Sequence, residues 1–242
     1  MHSYAIGDIH GHLGLLQDVH RWVNADIDRY GKGPVVHVGD LVDRGPDSCG
    51  VVEYLRAGVQ NGQDWVVLKG NHDRMFTKFL SKMNAHDEGL RSDLSYLHPR
   101  IGGAATLASY GVKNAADRPL APVYTDAVAA VPLSHIQFLE NLPTSFARDK
   151  AVYVHAGIRP GIPLMQQSET DLLWIRKDFL DDPRDHGALI VHGHTAIARP
   201  THYGNRVNID SSAAYGGPLS VVVIDGLQVF HLTASGRTVL LP

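Results

Sequence analysis

The sequence predicts an α/β fold (an α+β sandwich) in which two packed β-sheets are flanked by helices. Two observations carry this. Short apolar runs of strand length alternate with segments of helical period through the first third of the chain, the pattern of parallel strands joined by crossover helices. Past Arg206, short β runs alternate with glycine turns and no helix intervenes, which reads as antiparallel strands of a second sheet. The chain has 242 residues, 44% of them apolar, enough to bury a full core without disulfide staples.

In order, Ser3–Ile9 reads as a buried strand. A helix over His12–Arg29 follows, with Leu15, Leu16, Val19, Val23 and Ile27 at helical spacing. Pro34–Gly39 is a second apolar run, and Pro46–Ala57 a helix with Pro46 in its first turn. Trp65–Lys69 is a third run, followed by a helix over His72–Lys82. The stretch 84–131, with Gly102, Gly103, Pro119 and Pro122, is less regular and reads as a helical insertion over one edge of the sheet. Ser134–Asn141 is a short helix. Ala151–Val154 and Ala188–Val191 are further strands, as are Val207–Ile209, Ser220–Ile224, Val229–Leu232 and Val239–Leu241. No Pro-, Gly- or Ser-rich linker divides the chain, so residues 1–242 are expected to form one domain.

Charge and composition exclude several classes. Lys plus Arg total 22 and Asp plus Glu 25, a net charge of −3, which leaves no basic footprint for a nucleic acid duplex. No apolar run approaches the ~20 residues that span a bilayer, and the first residues lack a basic segment followed by an apolar one. With a single cysteine, a cytoplasmic location is expected. The outlier is histidine, with 15 copies, and histidine is the commonest metal ligand.

The residues that carry chemistry sit where the apolar runs stop. Five runs finish in turns bearing Asp8 and His10, Asp40 and Asp43, Asn71 and His72, His155, and His194. In α/β sheets ligands bind beyond the carboxyl ends of parallel strands, so these turns are expected to converge. The donors are oxygen and imidazole nitrogen with no sulfur, which suits manganese, iron, zinc or magnesium rather than a structural thiolate zinc site. Asp8 and His10 are two apart, so in extended chain both point to one side and can share one ion. The remaining ligands are too many for that ion, which points to two. A pair of divalent ions bridged by a carboxylate generates a hydroxide at neutral pH for in-line attack on phosphorus.

Gly7-Asp8-Ile9-His10-Gly11, Gly39-Asp40-Leu41-Val42-Asp43-Arg44-Gly45, Gly70-Asn71-His72-Asp73, His155-Ala156-Gly157 and Gly193-His194-Thr195 together resemble the signature blocks of the phosphoprotein phosphatase (PPP) family of metallophosphoesterases, in family order. The resemblance is nearest to the bacterial and phage serine/threonine phosphatase branch, and Val207–Ala213 also resembles the segment after the last histidine there. It implies a four-layer fold of two mixed sheets with ions at the strand-end loops. It assigns Asp8 and His10 to the first ion, Asp40 to the bridge, and Asn71, His155 and His194 to the second, with manganese as the leading metal. It makes His72 the acid that protonates the leaving oxygen, with Asp43 holding its ring, and Arg44 and Arg176 binding the phosphate. Ala196 stands where wider metallophosphoesterases carry a further histidine ligand, as in the PPP branch. The function implied is phosphomonoester hydrolysis by a metal-bridging hydroxide, on a phosphorylated protein or small phosphoester, with a serine/threonine protein phosphatase as the leading reading and a symmetrical diadenosine tetraphosphate hydrolase as the alternative.

Other readings compete at each position. Asp8, Asp40 and Asn71 are also good helix caps. His155 alone reads as a core histidine, and Arg176 could simply stack on Trp174. His192 could face the site, although the histidine followed by Thr is the family's ligand. Symmetrical diadenosine tetraphosphate hydrolases resemble the chain across the same blocks but tend to lack the aspartate of Asp-Arg-Gly, which is present here as Asp43. A tyrosine-phosphatase Cys-x5-Arg is absent, since Arg56 lies one position too far from Cys49, and no phosphate-cradling glycine loop of the P-loop or dinucleotide type occurs.

Overall fold

The computed structural model describes residues 2–242 and resolves them into two sheets between layers of helix. Strand β1 (His2–Ile6) leads through helix α1 (Leu13–Tyr30) to β2 (Val35–His37), then through α2 (Ser48–Gln60) to β3 (Trp65–Val67) and α3 (Asn71–Ser81). Helices α4 (Gly103–Ser109), α5 (Leu120–Ala130) and α6 (Leu133–Glu140) follow, then β4 (Ser145–Arg148) and β5 (Ala151–Val154). After α7 (Glu169–Trp174) and α8 (Lys177–Leu180) come β6 (Leu189–His192), β7 (Thr201–His202), β8 (Arg206–Asn208), β9 (Val221–Asp225), β10 (Gln228–Thr233) and β11 (Gly236–Val239).

One sheet runs β11-β10-β9-β1-β2-β3 and the other β4-β5-β6-β8-β7. β1, β2 and β3 are parallel, and so are β5, β6 and β8. Both sheets are mixed, as predicted, but the membership of the last strands differs from the sequence reading. β9 pairs antiparallel with β1, so β9, β10 and β11 extend the first sheet, and only β8 joins the second. The apolar pattern fixes which face a strand buries, not which neighbour it pairs with. The short edge strands β4 and β7 were not legible; Ser145–Arg148 and Thr201–His202 are only half covered and carry no apolar run.

Strand alternation builds the layers. Tyr4, Ile6, Val221 and Val223 point toward α1, α2 and α3, while Ala5, Val222 and Ile224 point the other way. These meet Ala151, Tyr153, Val191 and Val207 from the second sheet, forming the sandwich interior. Val152, Val154 and Ile190 face outward onto Leu172 and Phe179 of α7 and α8. A hydrogen bond of 2.5 Å joins Ser3 Oγ to Tyr153 Oη across the two sheets. The 84–131 stretch packs on the helical side of the first sheet, with α4 against α2 and α5 against α3. No helix among the described residues is long and apolar enough to cross a membrane.

Two buried histidines tie α1 to the first sheet. Val66 O accepts from His37 Nδ1 (3.3 Å), which leaves His37 Nε2 to accept from His20 Nε2 (2.9 Å), and His20 Nδ1 to accept from the Tyr54 hydroxyl (3.0 Å). Burial pushes His20 down to about 4, and burial beside His20 pushes His37 well below the ordinary range. Both rings are neutral when folded, whereas the unfolded chain protonates them below about pH 6.5. The unfolded state therefore binds more protons as pH falls, and stability is lost from about pH 6.5 down to about 4, at up to ~1.4 kcal/mol per pH unit for each ring. The urea midpoint of metal-free protein should drop between pH 7 and pH 5, and less steeply in His20→Gln. An unchanged slope in that variant would remove His20 from the account.

Candidate metal centre

Six parallel strands end at one place. β1 delivers Asp8 and His10, β2 delivers Asp40, Asp43 and Arg44, β3 delivers Asn71 and His72 at the start of α3, and β5, β6 and β8 deliver His155, His194 and Asp210. Their carboxyl ends open into one cleft of about 550 Å³, lined by His10, Asp40, Arg44, Asn71, His72 and His194 among others. The backbone is bent to bring them there. His10, Asp40, Asp43, Arg44 and His194 all have positive φ, five of the eight non-glycine residues that do among those described. Each such residue costs of order 1–3 kcal/mol, and the clustering marks strain kept for function. Glycine is required beside them: a Cβ on Gly70 would lie 2.2 Å from both the amide nitrogen and Oδ1 of Asp40.

Two sets of potential ligands share Asp40. His10, Asp40 and His72 form one, and Asp40, His155 and His194 the other, all buried. Asp40 Oδ2 lies 3.3 Å from His10 Nε2, and Oδ1 lies 3.3 Å from His155 Nε2. Asn71 Oδ1 completes the second set, 2.8 Å from His155 Nε2 and 2.9 Å from His194 Nδ1. The sequence reading placed Asp8 beside His10. Its carboxylate lies outside both sets and instead accepts the His194 backbone N–H at 3.0 and 3.2 Å.

The donor set fits cations. His155 Nδ1 faces the Val38 carbonyl at 2.9 Å and must donate to it, and burial keeps the ring neutral by pushing it down. His155 Nε2 is then a bare lone pair, yet it meets only acceptors, Asn71 Oδ1 and Asp40 Oδ1. His10 is held the same way at Nδ1, which donates to Val42 O (2.8 Å), but its Nε2 lies between the Asp40 carboxylate (3.3 Å) and the Arg44 guanidinium, which donates to it (2.7 Å). His194 is pushed well below its ordinary range by burial and by His155, and its Nε2 is buried without a partner. Lone pairs gathered against a carboxylate with no proton between them are satisfied by a metal ion. The two Asp40-sharing sets are consistent with a binuclear centre.

His72 Nδ1 donates to Asp43 Oδ2 at 2.7 Å, as the sequence suggested. Burial pushes the ring down while Asp40 and Asp43 oppose that shift. Arg44 donates to His10 Nε2 (2.7 Å) and His72 Nε2 (2.9 Å) and lies over the exposed Tyr215 ring. Arg176 lines the cleft with an exposed side chain, and no stacking on Trp174 is among its contacts in the described residues. The capping readings do not hold. Asp47 caps α2, and Asp40 reaches α3 only by accepting the His72 N–H at 3.0 Å. His192 turns away, buried against Phe179 with Nδ1 at 3.0 Å from Gly193 O.

Sequence reasoning passed over three groups. Asp210 lines the cleft, and with Asp40 it stands beside Asp8, whose carboxyl burial already pushes well up. Its signal was available: it follows the apolar run Val207–Ile209 as the other site residues follow theirs. Tyr96 and Thr106 touch Asp43, and Arg100 lines the cleft; these lie in the irregular 84–131 stretch and carried no pattern.

Mixed sheets in a sandwich with carboxylates and imidazoles at the strand ends define a metal-dependent phosphoesterase, and the chain belongs to the calcineurin-like phosphoesterase family, whose model matches residues 1–223. Among curated relatives it is similar to the asymmetrical bis(5'-nucleosyl)-tetraphosphatase PrpE of Bacillus mycoides, at 25% identity over 95% of this chain and 93% of that one. The PrpE of Anoxybacillus flavithermus is 28% identical over 90% of this chain and 88% of that one. Among solved structures, the cold-active protein-tyrosine phosphatase of a psychrophile Shewanella sp. matches with a TM-score of 0.61 at 18% identity, over 99% of this chain and 80% of that one, a likeness of fold.

Proposed function

We propose that the chain hydrolyses dinucleoside polyphosphates at a binuclear metal centre. Asp8, His10 and Asp40 would hold one ion, and Asp40, Asn71, His155 and His194 the other, with manganese the leading metal for this oxygen and imidazole set. When bound, the ions supply an activated water at neutral pH and neutralise charge on the phosphoryl group. Arg44 and Arg176 clamp the phosphoryl oxygens by planar bidentate bonds. His72 delivers a proton from Nε2 to the leaving oxygen while Asp43 holds Nδ1, and the negative charge of the incoming phosphate favours the protonated ring. A cytoplasmic location belongs to the same proposal.

The observation that carries the substrate is the wall of the cleft. Besides Arg44 it is lined by Arg91, Arg100 and Arg176, and neither the Arg100 nor the Arg176 side chain has a carboxylate partner among the described residues. Arg100, an unpaired guanidinium beyond the pair that clamps the reacting phosphoryl group, suits a chain of phosphates better than one phosphate. Trp174 and the exposed Tyr215 in the same wall offer faces for a base. The full-length likeness to the PrpE proteins supports this reading. Arg100→Ala is expected to raise KM for a dinucleoside tetraphosphate about tenfold, the ~1.4 kcal/mol of one charge-assisted contact, and to leave KM for a small aryl phosphate unchanged. Equal KM changes on both would take Arg100 out of substrate binding.

A second reading, a serine/threonine protein phosphatase acting on phosphomonoesters, is favoured by the His72–Asp43 pair. An alkoxide leaving group needs a proton, whereas a nucleotide leaves readily without one. Turnover of manganese-loaded protein on phosphopeptides and dinucleoside tetraphosphate separates the two, and the nucleotides released distinguish asymmetrical from symmetrical cleavage.

A further inference from the structure

The 84–131 stretch does more than flank the cleft, because it grips the residue behind the proton donor. The Asp43 side chain is fully buried, with one oxygen taken by His72 Nδ1 at 2.7 Å. The other accepts two hydroxyls, Tyr96 Oη and Thr106 Oγ1, each at 2.7 Å. The Asp43 backbone N–H in turn donates to Thr106 Oγ1 at 2.8 Å, and the Arg44 N–H to Gly102 O at 3.3 Å. Asp43 and Arg44 are consecutive residues with φ of 73° and 69°, a conformation that neither side chain favours. Contacts from one segment, residues 96–106, therefore hold both residues of the Asp-Arg pair in place. Tyr96 and Thr106 are themselves buried and fixed by packing, Tyr96 against Phe76 and Phe79.

We propose that Tyr96 and Thr106 are positioning residues for proton delivery by His72. They anchor one oxygen of Asp43 so that the other holds the imidazole at Nδ1 and fixes the direction of Nε2. The inference rests on the reading of His72 as proton donor. In the step concerned, an attacking water oxygen bonds to phosphorus and the bond from phosphorus to the leaving oxygen breaks. The departing electron pair takes the Nε2 proton, the attacking water gives up a proton to solvent, and the neutral imidazole regains one from solvent, so that the net change is one water consumed. The Tyr96 hydroxyl remains a donor throughout, since burial and the charge of Asp43 push it well above the ordinary tyrosine range.

The test compares manganese-loaded wild type, Tyr96→Phe and Thr106→Val, with Thr106→Ser as the conservative rescue, on an alkyl phosphate and on an aryl phosphate with an acidic phenol. Tyr96→Phe is expected to lower kcat about tenfold on the alkyl ester and less than about twofold on the aryl ester, with KM and metal content unchanged. Thr106→Val should behave alike and Thr106→Ser should restore the rate. In a His72→Asn background Tyr96→Phe should have no further effect. Equal losses on both esters, or a loss that persists without His72, would overturn the assignment. If His72→Asn itself shows no preference between esters, the reading of His72 fails; if it does and Tyr96→Phe does not, only the present inference fails. Proton NMR supplies a readout free of turnover: the hydrogen-bonded Nδ1–H of His72 should shift in Tyr96→Phe, and an unmoved resonance would also overturn it.

Discussion

Asp40→Asn is expected to lower kcat/KM by about a thousandfold or more, to abolish binding of the second metal equivalent, and to leave the fold intact. The reason is positional. Asp40 is the one side chain common to both ligand sets, with a separate oxygen turned to each side. An asparagine keeps the shape, and its carbonyl oxygen can still accept the His72 N–H, but it removes the charge that two cations would share in the proposed centre. Activation of water and neutralisation of phosphoryl charge are together worth several kcal/mol, and each ~1.4 kcal/mol is tenfold in rate. A variant that keeps two ions and most of its activity would show that Asp40 is not the shared ligand.

The second large effect belongs to His72→Asn, and its size should depend on the substrate. General acid assistance is worth ~10²–10⁴-fold where the leaving group is a poor one. An alkyl phosphate should lose rate in that range, whereas an aryl ester of an acidic phenol, or a polyphosphate whose leaving group is itself a phosphate, should lose about tenfold or less. The geometry supports this split, because the ring is held at Nδ1 by Asp43 rather than by the Asp40 carboxylate, and its Nε2 lies beside the Arg44 guanidinium (2.9 Å) in the wall of the cleft. His72 also belongs to one of the two potential ligand sets, so metal content must be measured alongside turnover. Loss of one ion in His72→Asn, with uniform rate loss on every substrate, would make His72 a ligand instead of an acid.

The strand ends were readable because two independent signals coincide there. A buried parallel strand is an unbroken apolar run, and the polar residue that stops it has nowhere to go but the carboxyl end of the sheet. Asp8, Asp40, Asn71, His155 and His194 were found that way, although they are scattered over nearly 190 positions of chain. Asp210 carries the same signal without a preceding glycine, and its run sits among strands whose sheet was misassigned. Pairing of β9 with β1 could not be read, since both faces of β9 are apolar and any buried neighbour would satisfy them. Tyr96, Arg100 and Thr106 were illegible for a different reason. Their roles depend on where an irregular segment folds back, and a tyrosine or threonine there reads locally as one more loop residue. The choice between donors to a cleft and ordinary surface arginines likewise needs three dimensions, which is why the polyphosphate reading follows from the cleft wall and not from the motifs.

The binuclear arrangement itself is tested most directly by anomalous diffraction from crystals grown with manganese. Two anomalous peaks of comparable height are expected, one on each side of the Asp40 carboxylate, with His155, His194 and Asn71 around one and His10 around the other. A single peak, or two peaks with Asp40 bound to neither, would contradict the account at its centre.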